Sequence, residues 1–334
     1  MRQSRWLGIL ILLSVPLACG GTSQVGSPAA SAGPPRTFRL STAVTVDGPT
    51  TIAYTAFAKA VEKATGGRLK VQVFPNSQLG STASVVKAVQ AGSIDFQAVG
   101  SSNVSGIVPS TGILEAPFLF PDYATAYKAL DGAGGKAIAA AFSGTGVDLV
   151  AIGGSGYKAM TNSKRPINTA ADLSGLKMRS ISSPLQVAMW KNLGAQPTTL
   201  DITEVYTGLA THTVDGWDSA ADYLYANKYY EVQKYVTITH HVYAAELFIV
   251  SDQTWKSLSS ADQAVINKAA ADAVKTERRL TEALDKSSID KLQAAGMQVT
   301  RTPDTTSFRN AVQPVYQQAQ AQFGATLMNL FLKP

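Results

Sequence analysis

Short apolar segments and segments with helical periodicity alternate along this chain from about residue 38 onward. Residues 38–43 form a short apolar run, and in residues 50–65 the apolar side chains recur every three or four positions. Leu69, Val71 and Val73 then alternate with polar residues, which is the period of a β-strand. A strand, a helix and a second strand in this order predict a parallel pair joined by a right-handed crossover.

The same alternation continues towards the C-terminus. Apolar runs predict further strands at residues 94–99, 147–152, 176–179 and 243–250. Helical periodicity predicts helices at residues 81–91, 124–130, 136–142, 183–192, 204–211, 259–295 and 306–323. This order of elements favours an α/β fold with helices on both faces of the sheet, and 334 residues are enough for two domains.

The composition argues against several classes of function. The formal net charge is +6, and it falls to about +4 if the first 18 residues, with Arg2 and Arg5, are removed. No cluster of Lys and Arg is interleaved with aromatic residues, so nucleic-acid binding is not expected. One cysteine permits neither an internal disulfide nor a four-thiolate metal site, and three histidines argue against a histidine metal centre.

The N-terminus has the pattern of an export signal. Residues 1–5 are short and positive, and residues 6–18 are apolar but too few to span about 30 Å of hydrocarbon. Cys19 ends this run and resembles the lipidated cysteine of a bacterial lipobox, although Pro16 stands where that motif usually has leucine. The alternative is ordinary signal cleavage beside a bystander cysteine. Residues 19–36, rich in Gly, Ser, Ala and Pro, are predicted to be a flexible tether between a membrane lipid and an extracytoplasmic domain.

Motifs typical of enzymes fail when their context is considered. The glycines of residues 132–135 fit a loose dinucleotide fingerprint, but a helix rather than a strand is predicted just before them. The same segment lacks the first glycine and the final Ser or Thr of a phosphate-binding loop. His240 and His241 are adjacent, so on a strand they would point to opposite faces. Nothing in the sequence argues for catalysis, and no cofactor is expected.

The most specific sequence lies between residues 74 and 235, where a series of short motifs follows in order. They are FPNSQLG at 74–80, GSIDF at 92–96, APFLF at 116–120, PINT at 166–169, DLSGLKMR at 172–179, NLGAQPT at 192–198, EVY at 204–206, VDGWD at 214–218 and YEVQKY at 230–235. In this order and spacing they resemble the solute receptors of tripartite ATP-independent periplasmic (TRAP) transporters, the DctP-type family. The resemblance extends over most of residues 38–330.

The resemblance implies a two-lobed, periplasmic-binding-protein-like (type II-like) fold with hinge strands and a long helix spanning both lobes. Residues 259–295 are the candidate for that helix. The implied lobes are residues 37–156 plus about 244–284, and residues 157–243 plus about 285–330. The implied ligand is a small organic acid, bound by lobe closure and handed to the membrane subunits of the transporter. Such a receptor makes and breaks no bond.

The resemblance also assigns Arg179 to the ligand carboxylate, which the family's arginine grips in a paired salt bridge. A guanidinium suits this role because it is planar, always charged and carries donors that match two carboxylate oxygens. Arg179 ends a predicted strand, and open α/β sheets bind ligands at the carboxyl ends of their strands. The alternative is a structural salt bridge between Arg179 and an acid such as Asp201.

The resemblance also points to other positions. Lys158 stands where relatives often have a second arginine, and the alternative is a solvated surface lysine. Ser101 lies near a position that is acidic in sialic-acid receptors, and with the polar Ser81 it argues against that sugar acid. Trp217 is expected to stack on the ligand, with core packing as the alternative, and Ser219 stands where some relatives place an amide.

Five further aromatic residues are predicted to have structural roles, and two rival functions stay open. Trp190 is predicted to lie in a lobe core. The tyrosines at 223, 225, 229 and 230 are predicted to pack helices rather than contact ligand, and Asp215 and Gly216 to form a turn.

A receptor for another carrier or a sensor kinase would use the same fold. An exported hydrolase with an unrecognised site is the second rival.

Overall fold

The computed structural model describes residues 34–334, so the predicted signal peptide, Cys19 and most of the predicted tether lie outside the described residues. The strands are β1 (Arg36–Thr42), β2 (Leu69–Phe74), β3 (Phe96–Gly100), β4 (Val147–Asn162), β5 (Lys177–Ser180), β6 (Gln196–Thr199), β7 (Gly216–Ala220), β8 (Tyr235–Thr237), β9 (Tyr243–Ser251) and β10 (Gln298–Thr300). The α-helices are α1 (Pro49–Ala64), α2 (Thr82–Gln90), α3 (Ser101–Val104), α4 (Tyr123–Asp131), α5 (Ala133–Ala140), α6 (Pro184–Asn192), α7 (Ile202–Ala210), α8 (Ala221–Ala226), α9 (Asp252–Lys256), α10 (Ser260–Ala294), α11 (Thr305–Ala311), α12 (Gln313–Phe323) and α13 (Ala325–Leu332). Short 3-10 turns cover Pro109–Glu115, Ala170–Leu173 and Tyr229–Glu231.

The predicted strand, helix and strand at the start of the fold are confirmed. Helix α1 begins with Pro49, whose missing N–H is harmless in the first turn, and buries Phe57 and Val61 on its inner face. The chain leaves this helix through Gly66, whose φ of 60° favours glycine. Strand β2 then pairs in parallel with β1, and β3 pairs in parallel with the other edge of β1.

The main sheet has the strand order β2-β1-β3-β9-β4-β7-β5-β6, and β8 joins it on β4 and carries β10. The N-terminal strands β1, β2 and β3 occupy one end of this order, and β5, β6 and β7 occupy the other. Strands β9 and β4 are antiparallel neighbours in the middle. Each end of the sheet is therefore built from one part of the chain, and two long strands connect the ends.

Strand β4 makes this connection because its two halves have different partners. Residues 147–157 pair with β9, whereas Lys158 to Asn162 pair with β7, and Met160 to Asn162 also pair with β8. The register shifts between Gly154 and Tyr157, and Gly156 in this interval has a φ of 90°. The strand was predicted to end at residue 152. That prediction was too short because three glycines interrupt the apolar pattern where the strand changes partners.

Helix α10 confirms the predicted long helix and runs for 35 residues, about 52 Å. Ser259 caps it by accepting a hydrogen bond from the Asp262 backbone N–H, at 3.1 Å. Near its start Ala270 packs into the apolar cluster around Phe57, and near its end Leu292 packs into the cluster around Trp217. The helix therefore joins two separate apolar clusters. Among residues 34–334, no helix has both the length and the apolar character needed to cross a membrane.

Two further predictions about the second half of the chain were incomplete. The predicted helix at 306–323 is divided into α11 and α12 at Val312, where Pro314 in the first turn of α12 cannot donate a helical hydrogen bond. Gly216 was predicted to lie in a turn but begins β7, where it faces Asn162 of β4 and Met178 of β5. The short strands β6, β7, β8 and β10 were not predicted.

The position of Gly216 predicts a large effect of a small substitution. A Cβ atom there would lie 2.1 Å from the backbone oxygen of Thr161 in the adjacent strand, which cannot move aside without breaking the sheet. We expect Gly216→Ala to lower the free energy of unfolding by about 2–4 kcal/mol, measured by urea denaturation. Gly106→Ala is the matched control because no atom lies within 4 Å of its added Cβ. Equal stabilities of the two variants would contradict this account of the strand contact.

Candidate ligand-binding site

A cavity of about 360 Å³ lies where the two ends of the sheet meet the connecting strands. Its walls come from the segment after β1, the start of α2, the β3–α3 junction, the ends of β5, β6 and β7, the middle of β4 and the start of β9. The polar and charged wall residues include Asn103, Glu115, Ser155, Lys158, Arg179, Asp201, Asp218, Ser219, Tyr223 and Glu246. Its volume falls in the range of small-molecule sites, about 300–1,000 Å³.

Arg179 lines this cavity at the end of β5 and is only 5 % exposed. Its Nε donates to the Leu200 carbonyl at 3.0 Å, and its guanidinium carbon lies 5.8 Å from the ring centre of Trp217. Among the described residues, no carboxylate oxygen lies within 4 Å of its nitrogens, so the alternative salt bridge with Asp201 is absent. Burial lowers the pKa of Arg179, and Asp218 counters this only in part. A guanidinium remains charged nonetheless, so the cavity wall holds a buried cation whose one hydrogen bond among the described residues is the Nε bond to Leu200.

Lys158 is buried in the cavity wall. The alternative interpretation, a solvated surface lysine, is therefore wrong. Lys158 is 8 % exposed, and its Nζ lies 3.5 Å from Asp218 Oδ2 and 3.8 Å from Glu115 Oε2. Two carboxylates therefore share the charge of this lysine. Lys158 is near any ligand in the cavity, but its charge is already balanced within the protein.

Asp218 organises this part of the wall, although the sequence analysis did not select it. Its Oδ2 lies 3.1 Å from His241 Nε2, and His241 Nδ1 lies 2.6 Å from the Thr239 hydroxyl. Burial lowers the pKa of His241, which favours a neutral ring that donates from Nε2 and accepts at Nδ1. Burial by itself would raise the pKa of Asp218, but Lys158 and the His241 hydrogen bond outweigh it and lower that pKa. Asp218 is therefore a fixed negative charge.

Trp217 serves the core and the cavity together. Its side chain is 1 % exposed, and its ring centre lies 4.4 Å from that of Tyr229 and 6.2 Å from that of Tyr223. Trp217 and Ser219 both line the cavity, together with Asp218 and Ala220 of the same strand. Tyr223, predicted to pack helices rather than contact ligand, packs against the apolar cluster around Trp217 and also lines the cavity. Trp190 is fully buried in a core, as predicted.

Ser81 and Ser101 do not lie on the cavity wall. Ser81 caps α2 by accepting from the Ser84 backbone N–H at 3.3 Å. Ser101 is fully buried behind the wall and donates to Glu115 Oε1 at 2.6 Å. Capping and burial hold both hydroxyl groups away from the cavity, where Thr82 and Ser102 stand in their place.

The enzyme-like motifs have structural roles. Helix α4 directly precedes Gly132, so the strand that a dinucleotide fingerprint requires is replaced by a helix. His240 and His241 lie between β8 and β9 rather than on a strand, and their environments differ: His241 is fully buried, and the exposed His240 lies 3.8 Å from Asp285. Within residues 34–334, no group of three or more His, Cys, Asp or Glu side chains is arranged to hold a metal ion.

Comparisons with known proteins agree with this geometry. The family model for bacterial extracellular solute-binding proteins, family 7 (DctP), matches residues 40–322. The 2,3-diketo-L-gulonate-binding periplasmic protein YiaO of Escherichia coli is 35 % identical over 78 % of this chain and 80 % of its own length. The C4-dicarboxylate-binding periplasmic protein DctP of Rhodobacter capsulatus is 27 % identical over 87 % of this chain and 88 % of its own.

Solved structures extend the comparison to the fold. A TRAP periplasmic solute-binding protein from Polaromonas, bound to D-erythronate, superposes with a TM-score of 0.87 at 34 % identity, covering 89 % of this chain and 98 % of its own. A second TRAP periplasmic solute-binding protein, from Bradyrhizobium and in complex with D-galacturonate, superposes with a TM-score of 0.86 at 34 % identity. The match covers 90 % of this chain and 100 % of the other. These matches confirm the predicted α/β fold of periplasmic binding-protein type. The chain therefore belongs to the bacterial extracellular solute-binding proteins of family 7, the receptors of TRAP transporters, which are not enzymes.

Proposed function

We propose that this receptor binds a small organic acid in the cavity described above and that Arg179 holds the ligand carboxylate. The observation that carries this proposal is a buried guanidinium with no carboxylate partner within 4 Å among the described residues. Burying an unpaired cation is costly, and an anionic ligand removes that cost. The named ligands of the relatives, such as erythronate and galacturonate, all carry a carboxylate. Lys158, Trp217 and Ser219 would contact the rest of the ligand.

We propose further that ligand binding closes two lobes about the connecting strands. The lobes would be residues 37–156 plus about 244–284, and residues 157–243 plus about 285–330. Both sets contribute to the cavity wall, so a ligand would touch both and stabilise their approach. The register shift in β4 between Gly154 and Tyr157 offers a place for the bend. The closed form would deliver its ligand to the membrane subunits of a TRAP transporter.

The N-terminal segment belongs to the same proposal. Family members are periplasmic or extracytoplasmic. The apolar run at residues 6–18 would direct export, and a lipid on Cys19 would hold the receptor beside its membrane partners. The composition of residues 19–36 gives the domain enough reach to present its ligand at the membrane surface.

A ligand screen tests this function directly. Against monocarboxylates, dicarboxylates, keto acids and sugar acids, we expect at least one acid to raise the Tm in a saturable manner. A ligand at 100 times its Kd stabilises the protein by about 2.7 kcal/mol. With that acid, small-angle scattering should show a smaller radius of gyration. Turnover of an ester, amide or glycoside would favour the hydrolase, and an unchanged radius at saturation would refute closure.

A further inference from the structure

A pair of buried carboxyl groups joins the cavity wall to the long helix. Glu246 of β9 is 4 % exposed and lines the cavity, and Glu277 of α10 is fully buried. The Thr50 hydroxyl lies 3.0 Å from Glu246 Oε2 and 2.8 Å from Glu277 Oε1. The Ser155 hydroxyl donates to Glu246 Oε2 at 2.7 Å. One threonine thus connects two acids that are 31 residues apart on different elements.

The geometry around Thr50 favours a proton on the pair. A hydroxyl has one hydrogen, so when it donates fully to one carboxylate it bonds the other best by accepting from that group's protonated form. Among the described residues, no Lys or Arg nitrogen lies within 4 Å of either carboxyl group. Two adjacent buried carboxylates without a cation cannot both ionise at low cost.

The titration behaviour of both groups agrees with a shared proton. Burial raises the pKa of Glu246, although the bonds from Ser155 and Thr50 oppose this effect. Burial and then the charge of Glu246 raise the pKa of Glu277 to about 8. The other ionisable groups that influence the pair from the surrounding elements are Tyr54 of α1, Arg278 of α10, Asp222 of α8 and Tyr243 of β9.

Glu246 lines the cavity as well as bonding within the protein. Its Oε2 accepts from the Ser155 and Thr50 hydroxyls, and its carboxyl group is also hydrogen-bonded to Glu277. A second carboxylate of a ligand would be repelled here once the pair carries a negative charge. A ligand hydroxyl can instead either donate or accept, so it fits the pair in each of its protonation states.

We propose that Glu246 is a specificity-determining residue that hydrogen-bonds a hydroxyl group of the ligand, and that Glu277 is the positioning residue that shares its proton. This inference rests on the proposed function, because it assumes a carboxylate held by Arg179. It narrows the ligand to an acid with at least one hydroxyl group beyond the carboxylate. It also makes binding proton-linked. An anionic ligand and the exclusion of water both favour the protonated pair, so binding takes up protons and affinity falls as the pH rises through the range in which the pair ionises.

Paired acids with the same carbon skeleton test the hydroxyl contact. The probes are D-erythronate with butyrate and D-galactonate with hexanoate, each measured by calorimetry. We expect the wild type to prefer the hydroxylated member of one pair at least 100-fold. Glu246→Met should reduce that preference at least tenfold, mainly by weakening the hydroxylated acid. Glu62→Met, on the exposed face of α1, should leave the preference unchanged.

Proton uptake separates a ligand contact from a merely structural role. Calorimetry at pH 8 in buffers of different ionisation enthalpy should show net proton uptake on binding in the wild type, and less in Glu277→Gln and Glu246→Gln. Circular dichroism checks that each variant is folded. No proton uptake by the wild type, or an unchanged preference in Glu246→Met, would overturn this inference and leave the receptor function standing. Failure of the wild type to bind any of the four acids or any other carboxylate would overturn both.

Discussion

Replacing Arg179 by alanine is expected to abolish ligand binding while the chain stays folded. Removing one partner of a desolvated ion pair costs about 2–5 kcal/mol, which is roughly a 30-fold to several-thousand-fold loss of affinity. The fold should tolerate the change, because within the described residues the guanidinium makes a single hydrogen bond, to Leu200. We expect the free energy of unfolding without ligand to change by no more than about 1 kcal/mol. Calorimetry with an acid found in the ligand screen, and urea denaturation, measure the two effects.

Two further variants make the Arg179 experiment specific. Arg179→Lys keeps the positive charge but loses the planar pair of donors, so its affinity should lie between those of the wild type and Arg179→Ala. Arg301→Ala is the matched control, because Arg301 is exposed and paired with Asp290 at 2.6 Å. Near-native affinity in Arg179→Ala, with the control unaffected, would show that another group holds the carboxylate.

The sequence predicts those elements whose pattern is local. Helix α1 and strands β1 and β2 are specified by apolar periodicity, and α10 by a long stretch without Gly or Pro that begins with a capping Ser259. Strands β6, β8 and β10 have three or four residues each and little apolar pattern. They are strands because a neighbouring strand supplies their hydrogen bonds, and that information is not local.

The residues of the candidate site also divide into those that the local sequence predicts and those that depend on distant parts of the chain. Arg179 and Trp217 could be proposed because motif order and spacing identified the family's ligand-facing positions. The burial of Lys158 could not, because it depends on Glu115 and Asp218, which are distant in sequence. Glu246 was also missed, although a single charge within the otherwise apolar run at 243–250 is a signal that can be read. A charge of this kind in a buried strand indicates a partner elsewhere in the chain.

The contact between Glu277 and Thr50 shows why such partners escape sequence analysis. The two residues are 227 positions apart, and the contact exists only because α10 packs on both α1 and β4. The packing is close: a Cβ added at Gly153 would lie 1.8 Å from Glu277 Oε2. Glycine at this position of β4 leaves the room that the carboxyl group occupies. The glycines that obscured the strand in the sequence are therefore part of what admits the buried acid.

The buried acid pair predicts an unusual dependence of stability on pH. Glu277 has an ordinary pKa of 4.5, and burial raises it to about 8 in the folded chain. Between these values the folded state holds a proton that the unfolded state releases, so the free energy of unfolding falls as the pH rises. The contribution of this one group is fully present below about pH 4.5 and is lost by about pH 8. Its slope is at most about 1.4 kcal/mol per pH unit.

Replacing Glu277 by glutamine should remove this dependence, because the amide is nearly isosteric and releases no proton. We expect the variant to gain stability relative to the wild type as the pH rises from 5 to 8, by several kcal/mol in total, and the difference to level off above pH 8. Urea denaturation of both proteins at each pH measures the difference between their free energies of unfolding. The titration of distant groups contributes equally to both proteins and cancels in this difference. Glu282→Gln on the exposed side of the same helix should show no such trend. If the wild type and Glu277→Gln keep a constant difference across this range, Glu277 is ionised in the folded protein, and the shared proton does not exist.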